Sequence, residues 1–421
     1  MHIVISTIGT AGDIYPCIAL GHALARRGHE VDFHGGAYFQ EAVERAGLAF
    51  TATMSTAAYL EAAADPAMWD PKRSMPAFWQ RMKPVIPAAY ERIMEAVRPG
   101  ETVLVGSAMA FWVRLAQEKT GAPTATIHPA PYAILSAEAP PAWGLIPWLG
   151  RLPAWAVRGV LSAAEMLLLD SVMRPDLNAF RATIGLPPVR RIASRWLHSP
   201  DLVICAVPEW FTPAPRDWPP NTVRTGFPRF EEAVGARLDP ALAAFIEAGT
   251  PPIAATPSSG MAHGRAFFAR TIEACAALGR RSVLVTSFRD QLPEVLPDFV
   301  FHARYVPYAL LLPRLAAIIH AGGIGTTAHA FATGTPQLFT PFNHDHFDNA
   351  AKSVRLGGGL ALAPVAPAAK WIAALSALLE PGRFAPACAS LARRMAADPS
   401  GTERMADYVE RLRPAGVAAA A

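Results

Sequence analysis

The feature that most constrains the fold is an alternation of short apolar strands with glycine turns and helices, which begins at residue 2. HIVIST (2–7) is typical of a buried strand, and the glycines of IGTAGD turn the chain. A helix is predicted over 16–27, beginning at Pro16 and ending before Gly28. The alternation resumes after a Pro-, Gly- and Arg-rich stretch in the middle of the chain. The sequence therefore predicts two parallel, doubly wound sheets.

Length and composition agree with a globular protein of several domains. A chain of 421 residues is too long for one ordinary core. A hydrophobic fraction of 52% with 17% charged residues is typical of a globular enzyme. The predicted divisions are an N-terminal Rossmann-like domain (1–215), an interdomain linker (216–236), a second Rossmann-like domain (237–383) and C-terminal helices (384–421) that pack back toward the first domain.

Charge and cysteine usage exclude several classes of partner. The net charge is +4 and the basic residues form no long block, so nucleic acid is not an expected partner. Cys17, Cys205, Cys275 and Cys388 lack metal-ligand spacing, which predicts no zinc site, no disulfides and a cytoplasmic location. No signal peptide is expected before the first strand. The apolar segment 140–170 is interrupted by Gly, Pro and Arg, so no membrane span is expected either.

A glycine-rich turn in the second half of the chain is the main candidate binding site. In HAGGIGTTAHAF a strand ends at its histidine, and the glycines lie where the next helix begins. Free N–H groups and the dipole at a helix start attract an anion such as a diphosphate, and glycine lets a ligand touch the backbone. The alternative is a tight turn beside a buried, satisfied histidine. The residues predicted to hold a diphosphate are His320, Gly322, Gly323, Gly325, Thr326 and Thr327.

The longer stretch 320–349 resembles the C-terminal signature of the family 1 glycosyltransferases of GT-B fold. The resemblance rests on His320, the glycine loop, Gly334-Thr335-Pro336-Gln337, Pro341, Asp345 and Asn349. It implies an α/β fold in which two Rossmann-like, doubly wound domains face each other across a cleft. It also implies that the second domain binds a nucleotide sugar.

The resemblance assigns further donor-binding residues. Asp345 would bind hydroxyls of the donor sugar, although it could instead cap the helix that follows. His346 stands where relatives usually have Gln, which leaves the identity of the sugar open. Tyr305 and Val306 would contact the nucleobase through backbone groups.

Ser258 and Ser259 follow the first strand of the second domain, where relatives touch phosphates with a Gly-Ser pair. Ser258 takes the place of the glycine, and an ordinary strand-to-loop turn is the alternative.

Asp13, in IGTAGDIYP, is the candidate catalytic base. A hydroxyl is a poor nucleophile, so its proton must leave during attack. The Gly-Asp-x-x-Pro arrangement resembles that of antibiotic and sterol glycosyltransferases. Asp13 could instead cap a helix, but a helix beginning at Pro16 would leave it upstream of the cap. His128 and Ser107, at strand ends in the same half, could orient Asp13 or be structural.

The expected reaction is a single inverting displacement without a metal or other cofactor. Asp13 would take the acceptor proton, while His320 and the helix start stabilise the departing nucleoside diphosphate.

Segments in both halves, including DPAMWDPKRS and FNHDHFDNA, resemble rhamnosyltransferases of bacterial rhamnolipid synthesis. This likeness implies dTDP-L-rhamnose as the donor, with a UDP-sugar as the alternative, and a 3-(3-hydroxyalkanoyloxy)alkanoic acid as the acceptor. Trp79, Met82 and Trp143 are candidate acceptor-binding residues because aromatic and Met side chains suit flexible acyl chains. Core packing is the alternative for each.

The lipid-like acceptor and the apolar segment 140–170 predict peripheral contact with the cytoplasmic face of the inner membrane. An internal helical hairpin would explain the same composition.

The same residues discriminate among other functions. A nicotinamide-dependent oxidoreductase is disfavoured because IGTAGD lacks the third glycine of GxGxxG and the next strand ends in Gly35, not an acidic residue. A non-catalytic nucleotide-sugar or lipid-binding protein of the same fold stays open. So does a glycosyltransferase that acts on a polyketide, terpenoid or sterol acceptor.

Overall fold

The chain forms two compact units. The computed structural model describes residues 1–144, 146–229, 237–258 and 260–413. Of these, residues 1–229 and 399–413 form the first unit, and residues from 237 to 398 form the second. The last third of the predicted linker, from residue 230 to 236, lies outside the described residues.

The first unit is built on a seven-stranded sheet in which every strand pair is parallel. Its strands are β1 (His2–Ser6), β2 (Glu30–Gly36), β3 (Ala49–Met54), β4 (Thr102–Ser107), β5 (Thr124–His128), β6 (Leu202–Cys205) and β7 (Thr222–Arg224). Its helices up to β6 are α1 (Ala11–Arg26), α2 (Gln40–Arg45), α3 (Thr56–Ala64), α4 (Ser74–Met82), α5 (Val85–Ala96), α6 (Phe111–Thr120), α7 (Ala154–Ala164) and α8 (Ser171–Thr183). The strand order β3-β2-β1-β4-β5-β6-β7 reverses direction between β1 and β4.

The second unit repeats this topology with six parallel strands. Its strands are β8 (Ile253–Thr256), β9 (Ser282–Val285), β10 (Val300–Ala303), β11 (Ala317–His320), β12 (Gln337–Phe339) and β13 (Gly359–Ala361). Its helices are α9 (Pro240–Glu247), α10 (Arg265–Ala277), α11 (Tyr308–Leu311), α12 (Ile324–Thr333), α13 (His346–Arg355), α14 (Ala368–Leu378) and α15 (Ala385–Ala397). The order β10-β9-β8-β11-β12-β13 reverses between β8 and β11.

The central strands β1, β4, β8 and β11 are buried on both faces of their sheets, which explains why they are rich in apolar residues. Ile3 and Ile5 of β1 pack into one cluster, while Val4 between them packs into another. In the second unit, Ile319 and Ile318 of β11 divide in the same way. Ligands of such sheets bind beyond the carboxyl ends of the strands, where the strand order reverses. A binding site is therefore expected at the loops that follow β1, β4, β8 and β11.

The C-terminal helices differ from the prediction that both return toward the first domain. α15 belongs to the second unit, where Cys388 and Leu391 are buried and the helix packs beside Gly334 at the end of α12. The last helix, α16 (Gly401–Glu410), belongs to the first unit. It buries Met405 and Val409 against the sheet cluster. The apolar face of α15 therefore packs in the second unit and that of α16 in the first, and the boundary between the units follows Asp398.

The side chain of Arg27, at the end of α1, fixes α16 electrostatically. Its guanidinium bonds the carboxylates of Asp407 and Glu410, each at 2.8 Å, and also pairs with Glu403. Three carboxylates around one half-exposed arginine hold α16 to α1 more firmly than a single surface pair would.

Candidate active site

The glycine turn after β11 has a backbone geometry that only glycine tolerates. Gly322 adopts φ +106°, in the region that disfavours residues with a Cβ. A Cβ at this position would lie 2.8 Å from the carbonyl oxygen of His346. Gly323 is the N-cap residue of α12 and Gly334, with φ +70°, ends that helix. The predicted strand, turn and helix are confirmed.

The amino end of α12 supplies the donors for an anion. The first N–H groups of a helix have no partner within the helix, and the dipole adds positive charge there. Gly325 is exposed and Gly323 is half-buried, so this backbone lies near the surface of the unit. The Thr327 hydroxyl, in contrast, is buried and donates to Gly323 O at 3.0 Å. The predicted phosphate contact of Thr327 would have to replace that bond.

His320 supports the loop in the way that the alternative interpretation described. The side chain is 1% exposed. Its Nε2 donates to Gln337 Oε1 at 3.0 Å, and its Nδ1 accepts from the Gly322 N–H at 3.2 Å. Burial lowers the pKa of His320 to about 3, so the ring is neutral at pH 7. A direct bond from His320 to phosphate stays a prediction that requires one of these bonds to open.

A second loop, after β8, lies on the other side of the point where the strand order reverses. Ser258 has φ +153°, which a serine rarely adopts and a glycine would adopt without strain. Its backbone therefore keeps the shape expected of the glycine that it replaces. Ser259 lies outside the described residues. Burial raises the pKa of Tyr308, while the nearby side chains of Thr256 and Thr326, at the end of β8 and the start of α12, lower it.

The predicted nucleobase segment has one exposed and one buried side chain. Tyr305 is 52% exposed, whereas Val306 packs in a core cluster with Leu311 and Leu312. Val306 could reach a ligand only through its backbone, which is the kind of contact predicted for it.

Asp345 occupies the N-cap position of α13, but its side chain makes no capping bond to that helix. Its Oδ2 instead accepts a hydrogen bond of 2.6 Å from Nδ2 of Asn349. The preceding residue, His344, has φ +54°, a left-handed conformation that favours glycine. Burial raises the pKa of Asp345, while nearby His344 and the Asn349 amide lower it. The carboxylate is thus positioned by its neighbours and does not serve as a helix cap.

His346 is buried at the first position of α13. Burial lowers its pKa to about 4, and its Nδ1 has no partner among the described residues. The ring is therefore neutral at pH 7. Because the side chain is buried, its contact with the donor sugar stays a prediction.

Two features of α13 were missed by the sequence analysis. Asp348 and Lys352 form a buried ion pair one turn apart, and the negative charge of Asp348 acts to raise the pKa of Asp345. The Asp-x-x-x-Lys spacing was a signal for this pair. Asn349 was part of the resemblance, but its contacts depend on the folded turn and had no signal in the sequence.

In the first unit, Asp13 lies just beyond the carboxyl end of β1. The predicted start of α1 at Pro16 is wrong: the helix begins at Ala11, with Thr10 as its N-cap. Asp13 is the third helical residue, and its Oδ2 accepts the Thr10 N–H at 3.0 Å. This capping box explains the earlier start, and Pro16 lies inside the helix. Asp13 therefore has a capping role, which an ionised carboxylate can combine with other hydrogen bonds because it has about four acceptor sites.

Neither His128 nor Ser107 forms a side-chain hydrogen bond with Asp13. His128 Nε2 lies 3.1 Å from His198 Nδ1, and both rings are buried. Ser107 Oγ has no partner among the described residues. Thr10 holds the carboxylate of Asp13, and the Thr7 hydroxyl donates to its backbone carbonyl at 3.4 Å.

The candidate acceptor residues occupy packed positions. Trp79 is 1% exposed and donates from Nε1 to Asp176 at 2.8 Å. Met82 is buried in the same core cluster. Trp143 packs at the edge of a small cluster around Leu149. These placements agree with core packing, so their contact with an acceptor stays a prediction.

Within the residues that the structure describes, no group of three or more His, Cys, Asp or Glu side chains could hold a metal ion. None of the described helices combines the length and the apolar character needed to cross a bilayer.

Known proteins match the chain in both units. Residues 3–129 match the glycosyltransferase family 28 N-terminal domain, and residues 270–411 match the C-terminal domain of erythromycin biosynthesis protein CIII-like proteins. O-mycaminosyltylonolide 6-deoxyallosyltransferase of Streptomyces fradiae is 30% identical, over 94% of this chain and 93% of that protein. This chain belongs to the family 1 glycosyltransferases of GT-B fold. The predictions of a glycosyltransferase and of two doubly wound parallel-sheet domains are confirmed.

Solved glycosyltransferases share this fold. The glycotransferase of kitacinnamycin superposes with a TM-score of 0.75 at 22% identity, covering 98% of this chain and 99% of that chain. A spinosyn rhamnosyltransferase complexed with thymidine diphosphate gives 0.67 at 19% identity, covering 96% and 99%. At such identities the likeness extends to the fold of the glycosyltransferase and not to its substrates.

Proposed function

We propose that this glycosyltransferase transfers L-rhamnose from dTDP-L-rhamnose to the hydroxyl of a 3-(3-hydroxyalkanoyloxy)alkanoic acid, with inversion at the anomeric carbon. The observation that carries the proposal is the glycine turn at the amino end of α12, which is hydrogen-bonded through Asn349 to the carboxylate of Asp345. A turn rich in N–H donors suits a diphosphate, and an adjacent carboxylate suits sugar hydroxyls. The thymidine diphosphate bound by the spinosyn rhamnosyltransferase also supports a thymidine nucleotide.

The chemistry follows from the groups that the two units provide. The Asp13 carboxylate takes the proton of the acceptor hydroxyl while the hydroxyl oxygen attacks the anomeric carbon. The bond from that carbon to the diphosphate breaks, and the nucleoside diphosphate leaves. The N–H groups and the dipole at the start of α12 stabilise the negative charge that grows on the leaving group. This stabilisation requires no metal or other cofactor.

The acceptor has a specific competitor. The relative from Streptomyces fradiae is named for transfer to O-mycaminosyltylonolide, which favours a natural-product acceptor such as a polyketide as the second candidate. Terpenoid and sterol acceptors, a different donor sugar, and a UDP-sugar in place of the thymidine nucleotide are further variants of the same mechanism.

We also propose a cytoplasmic location with peripheral contact at the inner membrane. Exposed large apolar side chains are concentrated in an apolar segment, residues 148–168, which includes α7. The exposed members of this segment are Trp148, Trp155, Met166, Leu167 and Leu168. Arg151 and Arg158 of this segment are exposed, while its one carboxylate, Glu165, is buried. Exposed aromatic and aliphatic groups beside arginines suit the surface of an anionic bilayer.

One assay tests the function. The purified protein is incubated with thymidine and uridine diphosphate sugars and with hydroxyacyl lipids or polyketide aglycones, and products are read by mass spectrometry. A rhamnosylated hydroxyacyl lipid, with nucleoside diphosphate release that depends on acceptor, is the expected result. Transfer only to an aglycone would replace the lipid with the second candidate. Nucleotide binding without any transfer would indicate a binding protein and contradict the proposal.

A further inference from the structure

Asn349 connects two parts of the second unit that have different proposed roles, the glycine turn for the diphosphate and the Asp345 carboxylate for the sugar. The residue is fully buried, in the first turn of α13. Its Nδ2 donates to Gly322 O at 3.0 Å and to Asp345 Oδ2 at 2.6 Å. One side-chain amide thus bonds both the glycine turn after β11 and the carboxylate before α13.

The orientation of this amide is fixed by its surroundings. Rotating it by 180° would place Oδ1 against a carbonyl and a carboxylate, which are both acceptors. In the observed orientation, Nδ2 makes both of these hydrogen bonds, and Oδ1 has no partner among the described residues. The backbone of Asn349 is anchored independently, because its N–H donates to Asp345 O at 2.9 Å and its carbonyl accepts from Ser353 Oγ at 2.7 Å.

The bond to Gly322 O controls a donor of the glycine turn. The peptide group between Gly322 and Gly323 is planar and trans, so its C=O and N–H point in opposite directions. Holding the Gly322 carbonyl against Asn349 therefore turns the Gly323 N–H to the other side. Gly322 adopts a positive φ. Because glycine has no Cβ to restrict its backbone, contacts such as this one are needed to hold it in a single conformation.

We propose that Asn349 is a positioning residue that couples the diphosphate-binding turn to the sugar-binding carboxylate of Asp345. This inference rests on the proposed function. Asn349 aligns the Gly323 N–H for the diphosphate and at the same time holds Asp345 toward the donor sugar. Binding at one part of the donor site then depends on the integrity of the other.

The electrostatic surroundings of Asp345 support this role. Burial raises the pKa of its carboxyl, and the charge of Asp348 adds to the rise. His344 and the N–H of Asn349 oppose it, while Lys352 pairs with Asp348. Removing the Asn349 amide should therefore move the acidic limit of sugar-donor binding to higher pH, which a purely structural side chain would not do.

The first test uses thymidine diphosphate, which carries no sugar, and isothermal titration calorimetry. Asp345→Ala should weaken its binding several-fold, although Asp345 is not proposed to touch the diphosphate, because the Asn349 amide loses one of its two anchors. Asn349→Ala should weaken it by about tenfold. Thr271→Ala, which removes a buried side-chain hydrogen bond to a backbone carbonyl in α10, is the matched control and should bind as the wild type does.

A double-variant cycle on the KM for the sugar donor completes the test. If Asn349 acts through Asp345, the Asn349→Ala/Asp345→Ala protein should lose no more than the worse single variant. Additive losses, or unchanged thymidine diphosphate affinity in Asp345→Ala, would overturn the coupling. The Asp345→Ala measurement decides the matter even if Asn349→Ala does not fold. Absence of nucleoside diphosphate binding in the wild type would instead reject the proposed function itself.

Discussion

The carboxylate of Asp13 fills the space into which a side chain at Gly9 would project. Gly9 has φ +130°, and a Cβ built on it would overlap Oδ2 of Asp13. The glycine after β1 is therefore needed for two reasons, its backbone conformation and the room that it leaves for the carboxylate. Together with the Thr10 N–H, it sets the position of the proposed base.

Gly9→Ala should consequently displace Asp13. We expect transfer to fall by at least about tenfold, because a base held out of position loses much of its contribution. Affinity for thymidine diphosphate, which the second unit binds in this account, should stay unchanged. Initial rates and calorimetry on the same preparation measure both.

Gly28→Ala is the matched control for this prediction. Gly28 also has a positive φ, but a Cβ there meets nothing within 4 Å. It therefore carries the same kind of backbone penalty without touching Asp13. Equal losses of turnover in the two variants would show that stability, and not the position of Asp13, explains the effect.

His320→Ala should weaken thymidine diphosphate binding by about tenfold, since it removes the buried bonds to Gln337 and to the Gly322 N–H. Calorimetry measures the affinity, and His22→Ala, which changes an exposed histidine of the first unit, is the control. Unchanged affinity in His320→Ala would remove this residue from any part in donor binding.

Local signals in the sequence predicted the second unit well. Asp239 caps α9 by accepting the N–H groups of Ala241 and Leu242, with Pro240 at the first helical position, and an Asp-Pro pair is a local signal for such a start. Gly334 ends α12 in a left-handed conformation. These features depend on neighbouring residues only, which is why the sequence reveals them.

Features that depend on distant contacts could not be predicted. The bonds of His320 require Gln337, 17 positions away, and those of Asn349 require Gly322, 27 positions away. The start of α1 differs from the prediction because the Thr10–Asp13 capping box begins the helix five residues before Pro16. Trp79 is of a residue type that suits a binding site, but only the folded structure shows that it is buried in the core.

Buried neutral histidines should make the protein sensitive to acid. Burial lowers the pKa of His34, His198 and His346 to about 4, and that of His320 to about 3. Below the ordinary pKa of about 6.5, the unfolded chain binds protons that the folded protein does not. The free energy of unfolding should therefore fall as the pH drops from about 6.5 to 4.

Thermal unfolding between pH 7 and 5 measures this effect. Each unit of pKa depression corresponds to about 1.4 kcal/mol for a given group, so Tm should fall clearly across that range. His198→Gln should reduce the dependence, whereas a change at exposed His22 should not. A Tm that is constant from pH 7 to 5 would contradict the prediction.

The apolar segment 148–168 should bind anionic bilayers. The Trp155→Ser/Leu167→Ser protein loses two exposed apolar side chains, so co-sedimentation with phosphatidylglycerol vesicles should weaken by about tenfold or more. Val295→Ser, which removes an apolar side chain that is 82% exposed in the second unit, should bind like the wild type. Equal binding by all three proteins would argue against this surface.

The most direct test of the account is the turnover of Asp13→Asn. Asparagine keeps the size of the side chain and an oxygen for the Thr10 N–H, but it cannot accept the acceptor's proton. We predict a loss of transfer of at least about a hundredfold, with thymidine diphosphate affinity retained. An Asn variant that kept most of its turnover would contradict the assignment of Asp13 as the base.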